Sequence, residues 1–317
     1  MYEDSEALNP QVVEWLLEPE NPSVRYFTLV DLLEHPANDP DVTATKAAIP
    51  QSSTVASIFA ARKPAGYWGK SRDYYIPKHY STFWVLSILG DLGLTSEDER
   101  IREGCEFMFS HQREDGVFRR QRHIPGSWGW ERNGEPCTHA RIVRFLIQFG
   151  YADDPRTQAA IDWLIQTQRG DGGWLCARSN TRHACLRATL DYLRAAVLLP
   201  DTWQMETTQR AAEFVAALLM EPNMGHYHVS DAWTVLQYPY FNYGVLPALS
   251  ALTVLGYGRA HPKIAKALDW LLDRRQKDGT WILDEEVFHP PADFGRAGKP
   301  NKYITLDALR VFKSVFR

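Results

Sequence analysis

Three of the four cysteines fall near one histidine: Cys137, Cys176, His183 and Cys185. Three thiolates and an imidazole make an ordinary tetrahedral zinc set. The run from Cys176 through His183 to Cys185 does not have the spacing of a zinc knuckle, so spacing alone does not gather these ligands. His139, two residues after Cys137, is an alternative ligand and a candidate for proton transfer. The opposing reading is that buried cysteines serve as small hydrophobes.

Charged residues surround this cluster. Arg141 and Arg187 follow Cys137 and Cys185 by about one helical turn or less. Either could receive an anionic group through bidentate contacts. The plainer alternative is pairing with carboxylates such as Asp191, because unpaired buried charge is costly. Aromatics are dense: His79 and Trp84 with Tyr80 and Phe83, and Trp233 and Tyr243 with Tyr238 and Tyr240. Such residues could wall an apolar ligand or face a cation. Asp231 and His228 are titratable groups beside the second set. Asp231 is the candidate general acid or base, against the commoner role of a helix cap.

These residues are positioned by a repeat. An aromatic follows a glycine by two residues five times: Gly66–Trp68, Gly116–Phe118, Gly172–Trp174, Gly225–Tyr227 and Gly279–Trp281. The intervals are about 50–56 residues, a length that marks a repeat architecture. Two copies carry Gln-x-x-Asp-Gly in full, Gln112 to Gly116 and Gln168 to Gly172; Gln276-Lys277-Asp278-Gly279 is one residue shorter. The copy beginning at Asp154 shows the unit. Residues 155–169 place Ala159, Ile161, Trp163, Leu164 and Ile165 at helical spacing with polar residues between them, an amphipathic outer helix. An Asp-Gly turn ends it, a loop follows, and residues 184–199 form an inner helix rich in Ala and Leu.

Inner helices are expected at about 77–93, 137–150, 184–199, 241–256 and 302–316, with a shortened first pair at Val12 to Leu17 and Ser23 to Glu34. Six hairpins of this kind predict an all-α fold, an (α/α)6 toroid, as one domain over residues 1–317. The rival is an open helical solenoid. In the toroid, Cys137, Cys176, His183 and Cys185 share one rim at neighbouring helix pairs, whereas Cys105 sits on an outer helix.

Gln-x-x-Asp-Gly-x-Trp at the end of an outer helix resembles the QW repeat of the squalene–hopene and oxidosqualene cyclase superfamily. That superfamily shares its α/α toroid with the β subunits of protein prenyltransferases. The resemblance implies that the Gln ties the end of the outer helix to the next repeat while the Trp stacks beside it. It also implies an isoprenoid or other apolar anionic ligand in the central cavity. Protein prenyltransferases hold zinc at inner-helix starts, and Glu135-Pro136-Cys137 partly matches their Asp-x-Cys. A closed site of three cysteines and a histidine would fasten the rim; an open one would activate a thiolate. The sequence departs from the cyclases in having no DxDD motif, and no DDxxD motif is present either. It is most similar to short, single-toroid bacterial proteins of squalene-cyclase-like or prenyltransferase-like type, and that resemblance implies a fold more firmly than a reaction.

Composition bounds the rest. The chain has 317 residues and a net charge of −4, which argues against general nucleic-acid binding. No apolar run of about 18 residues is present and the first residues are acidic, so neither a membrane span nor a signal peptide is expected. Four cysteines in a chain of this length point to a reducing cytoplasm. Two further functions stay open: a non-catalytic toroid that binds a protein or peptide partner with zinc as a staple, and a carbohydrate-active (α/α)6 enzyme. The last would need two carboxylates about 5–10 Å apart, such as Asp231 with Glu131 or Glu135.

Overall fold

The computed structural model describes residues 9–119, 135–175, 184–221 and 232–316. Its helices are α1 (Pro10–Leu16), α2 (Pro22–Phe27), α3 (Pro40–Ala48), α4 (Ser53–Ala60), α5 (Thr82–Asp91), α6 (Glu99–Phe109) and α7 (Pro136–Gln148). They continue as α8 (Pro155–Gln166), α9 (Leu186–Ala196), α10 (Glu206–Leu218), α11 (Val245–Val254), α12 (Pro262–Asp273) and α13 (Lys302–Phe316). Among the described residues no β-strand forms. Every expected helix pair is present, and α3 is an additional helix that the repeat did not announce.

Sequence chemistry sets the helix starts. Asn9, Asn21, Asp39, Asp98 and Asp154 occupy capping positions and accept amide hydrogens of the first turn. Proline follows directly in α1, α2, α3 and α8, where its fixed φ suits the first helical position and its missing N–H costs nothing. The two helix types differ as amphipathicity predicts. In α8 only Thr157, Ala160 and Leu164 are buried, one stripe along a solvated helix. In α5 every residue from Thr82 to Gly90 is buried, and α7 and α9 are buried on most sides.

The helices group into two compact units. One contains residues up to Ala56 with 216–288 and 292–317; the other contains 57–215 with 289–291. In the first, α13 packs against α11 on one side and against α2 and the π turn Thr28–Leu32 on the other. Lys313 donates to the carbonyls of Asp31 and Leu32 at 2.9 and 2.8 Å, and Lys302 pairs with Glu18 at 2.6 Å. The first and last helix pairs therefore touch within this unit. In the second unit, α7 lies between α5 and α9 and carries α8 on its outer side.

The repeat turn works as a clamp. The indole N–H groups of Trp68, Trp174 and Trp281 donate to the carbonyls of Ile58, Leu164 and Leu271, at 2.9, 2.8 and 2.7 Å. Each acceptor lies ten residues upstream, on the preceding outer helix. Gln112 donates to the carbonyls of Gly116 and, across to α8, Arg156; Gln168 does the same to Gly172 and Thr207 of α10. The glutamine thus joins its own turn to the next hairpin. Gly116 and Gly172 have φ of +82° and +91°, and a Cβ there would stand 2.4 and 2.5 Å from the carbonyl oxygens of Ala159 and Arg210. Only glycine permits both that backbone and that approach.

Candidate functional site

In the second unit the starts of α5, α7 and α9 bring together much of what the sequence singled out. Cys137 is the second residue of α7 and Cys185 the capping residue of α9. Both are near enough to Arg187 for a negative charge on either to act on its guanidinium. Burial works to lower the Arg187 pKa, but Tyr75, Cys137, Asp191 and Cys185 together outweigh it and hold it above its ordinary value. Cys176 and His183, the other two expected zinc ligands, lie outside the described residues. Among the described residues no three metal-ligating side chains converge. Cys137 and Cys185 are free thiols, of a donor chemistry that suits zinc.

One turn further in, the arginines divide. Arg141 is buried, at 1% exposure, and clamps Asp191 with Nη2 at 2.9 and 3.1 Å and Nε at 3.2 Å. Its charge is matched by Asp191 within the protein, the pairing the sequence offered as the plainer alternative to binding an anion. Arg187 approaches Asp191 only to 4.0 Å and its side chain is 24% exposed. Its Nε makes no hydrogen bond among the described residues. Deeper still, Arg144 pairs with Asp91, Arg194 lies 3.7 Å from the same carboxylate, and Gln148 donates to it at 3.1 Å. Burial would raise the Asp91 pKa, but the two arginines win and hold it low.

Trp84 is the hub beneath this face. It is buried, with the Arg187 and Arg141 guanidinium groups 5.5 and 5.6 Å from its ring centre. His79 meets it edge-on at 5.3 Å, and Tyr75 at 5.0 Å. His79 and Tyr80 precede α5 and do not begin it: residues 69–81 form a turn in which His79 has φ +67°. Trp233 and Tyr243 belong to the first unit, where both are buried and pack on each other at 4.9 Å. Asp231, and Glu131 as its suggested carbohydrate partner, lie outside the described residues, as does His228.

His139 has a specific structural place. Its Nδ1 accepts the amide hydrogen of Phe118 at 3.5 Å, and its Nε2 donates to the Ala160 carbonyl at 3.2 Å. Thr82 and Thr305 accept the amides of the corresponding aromatics Trp68 and Trp281 in other repeats, at 2.9 and 3.0 Å. His139 is the repeat's threonine replaced by a longer acceptor. Burial pushes its pKa down to about 4, so it is a neutral ring with both nitrogens committed to backbone. Neither proton transfer nor metal ligation is open to it in this arrangement.

The sequence matches the prenyltransferase alpha-alpha toroid domain over residues 10–185 and again over 78–304. The chain belongs to this family. Within the toroid family, the sporulenol synthase of Bacillus subtilis is 24% identical over 218 residues, 65% of this chain and 28% of the relative. The squalene–hopene cyclase of Bradyrhizobium diazoefficiens is 31% identical over 194 residues, 54% of this chain and 29% of the relative. The matched stretch thus spans less than a third of the length of these relatives. The crystal structure of a protein from Actinoplanes matches 99% of this chain and 100% of its own at 18% identity, with a TM-score of 0.50. That likeness concerns the fold.

Against the toroid pattern, the residues missed in the sequence are Tyr75 and Asp91. Asp91 ends α5 and shows no motif. Tyr75 reaches the site only through the turn 69–81, whose path the helical pattern cannot specify. In that turn, buried Asp73 accepts the amides of Tyr75 and Ile76 at 3.0 and 3.3 Å, and the Trp84 indole donates to the Tyr75 carbonyl at 3.0 Å.

Proposed function

We propose that this toroid protein binds an isoprenoid compound whose anionic head meets Arg187. The observation that carries the reading is the Arg187 guanidinium itself: partly exposed, over Trp84, and beyond hydrogen-bonding distance of Asp191. A cation so placed attracts an anion, and the relatives named for squalene cyclisation and sporulenol synthesis make an isoprenoid the apolar part to test. His79 and Tyr75 border the same face, while Trp84 acts from beneath by holding the guanidinium. A thermal-shift series with prenyl compounds tests it. A good ligand at a hundredfold excess over its dissociation constant stabilises by about 2.7 kcal/mol. No shift with any prenyl compound overturns the reading.

Zinc is part of the same proposal. Cys137 and Cys185 would hold it, with Cys176 and His183 completing a closed site that contributes folding energy. Purified protein is expected to contain about one zinc per chain, lost in Cys185→Ala together with thermal stability. A metal-free wild-type protein removes zinc from the proposal.

The second reading, a non-catalytic toroid binding a protein partner, is favoured by the Arg141–Asp191 and Arg144–Asp91 pairs, which neutralise much of the arginine charge internally. It becomes the better one if prenyl compounds fail to bind.

A further inference from the structure

Two buried histidines differ in what their ring nitrogens face. His139 faces one donor and one acceptor, the Phe118 amide and the Ala160 carbonyl, which suits a neutral ring. His111 stands just beyond the end of α6, and both of its nitrogens face carbonyl oxygens. Nδ1 lies 3.0 Å from the Phe107 oxygen and Nε2 3.2 Å from the Ser71 oxygen. A carbonyl only accepts, and a neutral imidazole carries a single N–H. The neutral ring therefore satisfies one of these contacts and sets a lone pair against the other. The imidazolium satisfies both.

The repeat indicates which nitrogen holds the hydrogen of the neutral ring. His111 precedes Gln112 as Thr167 precedes Gln168. The Thr167 hydroxyl donates to the Trp163 carbonyl at 2.7 Å, and His111 Nδ1 stands at the matching carbonyl of Phe107. The position requires a donor to the last turn of the outer helix. Ser110 Oγ lies 3.3 Å from Nδ1, but its own hydrogen goes to the Phe107 carbonyl at 2.7 Å. Nδ1 is thus the N–H of the neutral form, and Nε2 gains a hydrogen only on protonation. A buried imidazolium is costly unless its hydrogens are taken up; here two carbonyls take them, and the Phe107 and Tyr74 rings lie 4.7 and 5.4 Å away. Tyr74 is the titratable group that faces the ring from the turn 69–81, where Asp73 directs its carboxylate to the amides of Tyr75 and Ile76. Arg119, on the chain leaving α6, reaches His111 through a backbone amide at 2.8 Å. No carboxylate pairs with His111 among the described residues.

We infer that His111 is a pH-sensitive clamp between α6 and the turn 69–81, in which a proton on Nε2 fastens the turn at Ser71. This turn brings Tyr75 and His79 against Trp84. Acid therefore fixes the wall beside Arg187, and base sets a lone pair of Nε2 against the Ser71 carbonyl and loosens it. The other side of the turn has no such dependence: the Phe83 amide donates to the Tyr74 carbonyl and the Trp84 indole to the Tyr75 carbonyl, both at 3.0 Å. Release is local, at the Ser71 side. The clamp goes beyond the isoprenoid reading and is independent of which ligand the toroid takes.

Nitrogen-15 labelling of the histidine rings tests this in the full chain, because the ring-nitrogen shifts separate N–H from bare nitrogen. In the folded protein at about pH 5 both His111 nitrogens are expected to carry hydrogen, and at about pH 8 Nδ1 alone. Amide exchange gives the second readout. Protection of the Asp73, Tyr75 and Ile76 amides, corrected for the intrinsic pH dependence of exchange, is expected to be about fivefold to tenfold higher at the lower pH, the gain of a charged donor over a missing one. His111→Gln offers an amide donor that does not titrate, and is expected to abolish that difference; melting checks that the variant folds. If it does not, the wild-type ring and amide data decide alone. A neutral His111 at about pH 5, an Nε2–H ring at about pH 8, or ring protonation that leaves the protection of these amides unchanged overturns the inference.

Discussion

Arg141 and Asp191 face each other from neighbouring buried helices, with side chains 1% and 3% exposed. Pairing two charges so far from water is costly, and the bidentate geometry offsets that cost. Removing one partner leaves the other stranded. Asp191→Ala is expected to destabilise by about 3–5 kcal/mol in urea unfolding. The double replacement Arg141→Met with Asp191→Leu is expected to be markedly milder than Asp191→Ala alone. A double variant as unstable as the single one would show that the pair itself, rather than the stranded charge, carries the stability.

The glycine of the repeat turn gives a sharper contrast. Gly172→Ala sets a Cβ 2.5 Å from the Arg210 carbonyl oxygen in a left-handed backbone. Neither the turn nor α10 can move without breaking the Gln168 tie. The expected loss is about 2–4 kcal/mol. Gly170, two residues earlier, has nothing within 4 Å of an added Cβ, and Gly170→Ala is expected to stay within about 0.5 kcal/mol of wild type. Equal melting temperatures for the two variants would contradict the clamp.

The glutamines predict a difference between copies of the motif. Gln168 reaches the Thr207 carbonyl at 2.8 Å, whereas the Gln276 side chain of the shortened copy bonds, among the described residues, to the Arg274 carbonyl beside it. Gln168→Ala is expected to cost about 1–3 kcal/mol by leaving carbonyls without their donor. Gln276→Ala is expected to cost under about 0.5 kcal/mol. Parallel denaturant titrations of the two variants give the comparison directly.

The helical pairs were legible because Gln112, Gln168 and the Gly-x-aromatic turns recur in phase, and those among the described residues have a fixed mechanical part; the Gly225–Tyr227 copy lies outside them. Helix burial was legible from periodicity, so the buried helices α5, α7, α9, α11 and α13 fall within the expected inner segments, trimmed by caps. The charges were harder. Arg141 and Arg187 occupy comparable places in the sequence, and nothing there says that one is locked to Asp191 while the other is not; that depends on the axial offset of α7 against α9. Tyr75 was invisible because its position follows from the path of a turn held by buried Asp73. His139 was misleading for a related reason. A histidine beside a cysteine suggests metal or proton chemistry, but the threonines at the equivalent places, Thr82 and Thr305, show what the position requires.

That equivalence sets a pH test. His139 is neutral in the folded chain, its pKa pushed down by burial from the ordinary 6.5 to about 4. In the unfolded chain it takes up a proton below about pH 6.5. The folded state cannot follow, so stability is fully present above that pH and is lost as pH falls toward 4. The shift corresponds to about 3 kcal/mol across the window. His139→Thr keeps an acceptor for the Phe118 amide but loses the bond to Ala160 and the ring contact with Trp163 at 4.4 Å. It is expected to be less stable than wild type at pH 7.5 by about 1–3 kcal/mol, from lost packing. Between pH 6.5 and 4 its stability is expected to fall less steeply than that of wild type, because the titrating ring is gone. Urea unfolding at half-unit pH steps for both proteins measures the two slopes. Identical slopes would mean that His139 is protonated in the fold, and that its bonds to Phe118 and Ala160 are not the ones that hold it.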